Sequence, residues 1–133
     1  MPREIVNSTR YHVPVPGFTQ AVKVTTPGAM VFVSGLTARQ ADGTIVAEGD
    51  IRGQTRQIFE NLKVILAEAG GTLQDVVRTV QYFRSMADHP GMQQVKDEYF
   101  GEHSPASTSI EIVMLYDPRQ MIEIEATAVL AAR

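Results

Sequence analysis

The chain contains no cysteine, which excludes disulfides and thiolate chemistry. No apolar run approaches the roughly 20 residues needed to span a bilayer. The opening MPREIVNSTR is charged and lacks the apolar core, about 7–15 residues long, of a secretory signal. Basic clusters are missing as well. The 12 Lys and Arg are scattered and outnumbered by 15 Asp and Glu, for a net charge of −3, so a nucleic-acid backbone is not the expected partner. His12, His89 and His103 show none of the close spacings that hold a metal. Gly70-Gly71 is not a phosphate loop, because no Lys-Ser/Thr follows it. What remains is a cytoplasmic protein with one domain over residues 1–133, and no membrane partner. Its 44% hydrophobic and 20% charged residues are those of an ordinary globular core and surface.

The periodicities supply the elements. Residues 1–17 carry Pro2, Pro14 and Pro16 and read as an irregular arm. Residues 18–24 alternate, 26–28 read as a turn and 29–35 as a β-rich run, which together predict a hairpin. Asp50 is placed to cap a helix in which Ile51, Ile58, Phe59, Leu62, Ile65, Leu66 and Ala69 recur at three- and four-residue spacing; Gly70 and Gly71 stop it. DVVRTVQYF (75–83) predicts a strand, and a second helix starts near Pro90 and runs to Gly101. Two strands joined by a turn at 116–119 close the chain. Ile110, Ile112 and Met114 share one face of the first, and Ile122, Ile124, Ala126 and Ala128 one face of the second. Strand, helix, strand from 75 onward predicts parallel pairing. The fold class is α+β, with both helices on one face of a mixed sheet. The other face then carries Glu111, Val113, Leu115, Glu123, Glu125, Thr127 and Val129. Such a mixture, with both helices already used, predicts burial against other subunits.

In this order, PGFTQAV (16–22), VFVSGLT (31–37), the helix and strand of 54–83, EYF (98–100), Pro105-Ala106 and IEIEATAV (122–129) resemble the Rid family (reactive intermediate deaminase, YjgF/UK114). The resemblance implies a chorismate-mutase-like fold and a homotrimer with small-molecule clefts between subunits. It also implies hydrolysis of 2-imino acids and their enamine tautomers to 2-keto acids and ammonia, without metal or organic cofactor. Active members have an arginine after the proline-alanine pair, whose guanidinium fork suits a substrate carboxylate. Here Ser107, Thr108 and Ser109 follow instead, which predicts altered or weak activity toward simple 2-imino acids.

Other positions transfer by the same resemblance. Glu123 matches the glutamate that handles the attacking water, and Ser34 and Gly35 match the pair that shapes the cleft. Phe18 stands where many members have tyrosine, and Gln93 where asparagine is frequent. Ser107 and Thr108 are candidates for neutral hydrogen bonding to a ligand. As nucleophiles the hydroxyls lack a neighbouring base in sequence. Arg119 is the alternative cation, although a turn residue beside Asp117 is more simply solvated. Two function classes follow: a cofactor-free imine or enamine hydrolase, and a small-molecule binding protein without chemistry. RNA cleavage, attached to some relatives, fits neither the acidic charge nor the lack of paired histidines.

Overall fold

Helix α1 (Ile51–Glu68) forms where the apolar spacing is strongest. The Asp50 side chain accepts from the Gly53 N–H at 3.1 Å, satisfying one of the orphan donors of the first turn. At the other end Gly70 has φ +87°, and the Gly71 N–H returns to the Leu66 carbonyl at 2.8 Å, so the glycines stop the helix as expected. Ile51, Ile58, Phe59, Leu62 and Leu66 are buried. Ile65 and Ala69, predicted on the same stripe, are exposed. The buried stripe runs instead through Gln54 and Thr55, and Thr55 Oγ1 meets its needs by donating to the Ile51 carbonyl at 2.7 Å.

The computed structural model describes residues 3–11, 19–25 and 27–132. Its strands are β1 (Arg3–Val6), β2 (Ala21–Val24), β3 (Pro27–Leu36), β4 (Val76–Phe83), β5 (Ala106–Glu111) and β6 (Ile122–Ala131), and α2 (His89–Phe100) lies between β4 and β5. The main sheet has the order β3-β6-β4-β5. Strands β4 and β5 are parallel, as the β4-α2-β5 succession requires, and β6 is antiparallel to both β3 and β4. Ile122, Ile124, Ala126 and Ala128 turn one face of β6 into a core shared with Ile58, Phe59 and Leu62 of α1 and Met92 and Val95 of α2. Among the described residues no helix is long and apolar enough to cross a membrane.

Three expectations need correction. The N-terminal arm contains β1, held by Arg3, whose guanidinium donates to the Gln74 and Val76 carbonyls at 2.7 Å each. The predicted hairpin does not form: β2 pairs with β1, and β3 pairs with β6. Gly28 belongs to β3 rather than to a turn, because a Cβ there would come within 2.4 Å of the Ala131 carbonyl oxygen. It permits close approach of two backbones. The C-terminal strands are not neighbours either, since β4 lies between them. β5 ends at Glu111, and the chain crosses the end of β4, with the Ile112 N–H donating to the Phe83 carbonyl at 2.8 Å. Ile110 and Met114 are therefore exposed, and Val113 is 94% exposed.

Buried amides fix this crossing. Gln54 donates to the carbonyls of Val46 (3.2 Å) and Arg119 (2.9 Å) and accepts from the Met121 N–H at 2.9 Å. Gln120 accepts from the Asp117 N–H at 3.0 Å and donates to Thr37 Oγ1 at 3.1 Å. Together they set where β6 begins, one residue before Glu123.

Candidate functional site

The face of the sheet away from the helices is read directly from the register. Tyr82 stands opposite Glu123, Val80 opposite Glu125 and Arg78 opposite Thr127. Phe32 lies beside Thr127 on the other flank, and Thr108 lies beside Val80. Paired residues share a face, so Glu123, Glu125, Thr127, Tyr82 and Thr108 are on one surface. Phe32 is 74% exposed there, and Met30 is exposed too. The expected membership of this face changes at three positions. Glu111 turns to the helix side of the sheet, where it accepts from the Met86 N–H at 2.8 Å. Val113 and Leu115 belong to the connection after β5, whereas Val129 stays on this face, opposite Met30.

Ser34 and Gly35 form an irregularity in β3. Val33 pairs with Ala126 and Leu36 with Ile124, so two residues stand opposite the single Glu125. A β-bulge of this kind re-aims the local backbone. A Cβ on Gly35 would lie 2.4 Å from Glu123 Oε2, so the Glu123 carboxylate rests against the bare α-carbon of Gly35. Next to it the Tyr82 hydroxyl donates to Glu125 Oε1. That hydrogen bond, followed by burial and the charges of Glu125 and Glu123, raises the Tyr82 pKa above its ordinary value. The arrangement is a half-buried carboxylate against a bare α-carbon, beside a second carboxylate already supplied with a donor. A group so placed can hold a water and move a proton.

The remaining predicted residues lie elsewhere. Ser107 stands beside Thr79 on β4, whose other partner, Ala126, is in the core; it therefore faces the helices. Its Oγ accepts from Gln81 Nε2 at 2.7 Å, and Ser109 Oγ accepts from the same nitrogen at 3.0 Å. Gln93 is in the helix layer on α2 and donates to Asp97 Oδ1 at 2.8 Å. Within one chain, then, Ser34, Gly35, Thr108 and Glu123 share the open side, while Ser107 and Gln93 share the other. Phe18 and His12 lie outside the described residues. Arg119 is no free cation: Nε and NH2 each donate to Asp117 at 2.9 Å. The pair raises the Arg119 pKa and holds the Asp117 carboxyl well below its usual range. The His89 ring lies 5.7 Å from that of Phe83, and burial, with the charge of Lys96, lowers its pKa. Among the described residues no cluster of three potential metal ligands forms.

Sequence reasoning missed Tyr82, Gln81 and the buried Lys96. The signal for the first two was the alternation inside VRTVQYF, which puts Thr79, Gln81 and Phe83 on one face and Val80 and Tyr82 on the other.

The bulge that seats the Glu123 carboxylate lies within a chain whose residues 9–130 match the family Endoribonuclease L-PSP. The chain belongs to this family, the Rid (YjgF/UK114) proteins. It is 36% identical over 128 residues to the 3-aminoacrylate deaminase RutC of Acinetobacter baylyi, covering 96% of this chain and 98% of that one. With the 2-iminobutanoate/2-iminopropanoate deaminase of Dermatophagoides farinae it shares 27% identity over 129 residues, covering 97% and 98%. The crystal structure of a Rid family protein of unknown function from Yersinia pestis superimposes with a TM-score of 0.87 at 36% identity, covering 98% of this chain and all of that one. The α+β arrangement of two helices on a mixed sheet is thus the chorismate-mutase-like fold of Rid proteins.

Proposed function

We propose that this Rid protein is a cofactor-free hydrolase, or deaminase, of a small imine or enamine, assembled as a homotrimer, with Glu123 handling water. The observation that carries the reading is the Glu123 carboxylate held against Gly35 on an open sheet face. Two relatives named as deaminases of an enamine and of imines support it. In the reaction Glu123 takes a proton from water as the water oxygen bonds to the carbon of the C=N group. The proton passes to nitrogen, the C–N bond breaks, and ammonia leaves behind a carbonyl. One water is consumed and one ammonia released.

Glu123 and Ser107 lie on opposite sides of the sheet in one chain, so this reading places the site between copies. The β5 edge of one copy, carrying Ser107 beside α2 with Gln93, meets the open face of another, carrying Ser34, Gly35 and Glu123. Such packing also covers Phe32 and Met30. Ser107 offers a neutral hydroxyl where active relatives are expected to use an arginine. Loss of a bidentate contact predicts turnover of simple 2-imino acids about two to three orders of magnitude lower.

Ammonia release from freshly generated 2-iminopropanoate and from 3-aminoacrylate tests the proposal. Release above the uncatalysed rate with either one supports it. Calorimetric binding of their keto-acid products with no such release would instead favour the alternative, a non-catalytic protein that holds a small molecule between subunits.

A further inference from the structure

Between α2 and the β4–β5 edge the interior is polar. Thr79 and Gln81 are 0% exposed, and the buried atoms Thr79 Oγ1 and Gln81 Oε1 have no hydrogen-bond partner among the described residues. The amide hydrogens of Gln81 go to the hydroxyl oxygens of Ser107 and Ser109. Both serines therefore keep their own hydroxyl hydrogens for another acceptor.

Helix α2 contributes a further buried polar residue, Lys96. It is 2% exposed, and it joins no ion pair among the described residues. It follows His89, whose ring touches that of Phe83, by seven residues. Two helical turns put both on one stripe and displace Lys96 by about 10.5 Å. Helix α2 runs back along β4, as a crossover to parallel β5 requires. Thr79 and Gln81 lie about 7–13 Å back from Phe83 on that strand, the stretch toward which a displacement of about 10.5 Å along α2 carries Lys96. Burial pushes its ammonium pKa down to about 8. An ammonium without a paired carboxylate is rarely retained in an interior.

We infer that Lys96, with the hydroxyls of Ser107, Ser109 and Thr79, forms a pocket for the carboxylate of a small imino or keto acid. The charge that active relatives are expected to place at position 107 comes here from α2. The unpartnered Gln81 Oε1 accepts from an N–H of the same ligand, so the pocket suits a 2-imino or 2-amino acid unit better than a plain fatty acid. Lys96 provides a point charge rather than a fork, so it holds the carboxylate with less directional control. This inference rests on the reading of a small-acid deaminase given above.

The test uses pyruvate as a carboxylate probe in calorimetry and ammonia release from 2-iminopropanoate as the activity, in the wild-type protein and in Lys96→Met and Lys96→Arg. Pyruvate affinity is expected to fall at least tenfold in Lys96→Met and to recover in part in Lys96→Arg. KM for the imine should rise by a similar factor with kcat little changed. A structural role for Lys96 would not produce this split, because Lys96→Met removes a buried charge and should raise the melting temperature. Ammonia release with the same KM in the wild type and a folded Lys96→Met would overturn the pocket and leave the deaminase reading standing. Lys96-dependent pyruvate binding without ammonia release would do the reverse. A wild type that shows neither binding nor release overturns both.

Discussion

The two sides of the main sheet solve different problems. On the helix side aliphatic and aromatic residues of α1, α2, β4 and β6 exclude water, and polar groups enter only where an amide or hydroxyl can be satisfied or, around Gln81 and Lys96, where it is not. On the open side carboxylates stand near exposed Phe32 and Met30, and among the described residues no helix covers them. One side is finished within the chain, and the other is the surface that the proposed assembly would cover with another copy. The groups of the proposed site divide along the same line, with Glu123 on the open side and the candidate carboxylate pocket on the helix side.

The largest effect is expected from breaking the open side. Phe32→Asp puts a charge at the centre of the surface assigned to subunit contact, where desolvation costs several kcal/mol. Light scattering at micromolar concentration should show a folded monomer in place of a trimer. A trimer of normal mass would mean that this face is not the interface.

On the finished side Gln54→Ala leaves two carbonyls and the Met121 N–H without partners and opens a cavity beneath α1. A loss of about 4 kcal/mol is expected, read as a lower urea midpoint.

Lys96 gives the comparison a pH signature. Its folded pKa, about 8, lies below the ordinary 10.5, so the folded state binds this proton less tightly than the unfolded chain does. Stability should therefore rise with pH between those values, and the penalty should remain in full below the window. The rise is about 3 kcal/mol for a shift of this size, with His89 and Asp97 as the neighbouring ionisable groups. Lys96→Met should flatten the curve relative to wild type in denaturant melts at pH 7.5 and 9.5.

Gly35→Ala sharpens the open side with the smallest change. The added methyl must displace the Glu123 carboxylate. Misplacing a catalytic group by about 1 Å costs about ten- to a hundredfold in kcat. Unchanged kcat would mean that the seat against Gly35 is incidental.

Much of this architecture was legible in residue order where the signal is local. Asp50 capping a periodic stripe, Pro90 opening a second helix and the apolar face of β6 all depend on neighbours a few residues away, and they were placed within a residue or two. The pairing of β2 and β3 and that of β5 and β6 were inferred from turns and were wrong. A turn signal says that the chain reverses, not which strand it meets, and β4 enters between β5 and β6 through pairs 28 to 52 residues apart in sequence. The same gap hid the division of the site. Glu123 and Ser107 can be named from motifs, but their faces follow from register, which one residue of slip inverts. Lys96 was missed because a lysine within a polar helix segment reads as solvated until the crossover over β4 is known.

Complementation between two impaired variants, assayed at an imine concentration well below KM, tests the central claim, that each site draws its water-handling carboxylate from one copy and its charge from another. Glu123→Gln and Lys96→Met, refolded together in equal amounts, should recover ammonia release, because about one site in four in random trimers pairs two intact contributors. No recovery in mixed trimers whose composition is verified by mass would contradict the account, since it would mean that both groups must come from the same chain.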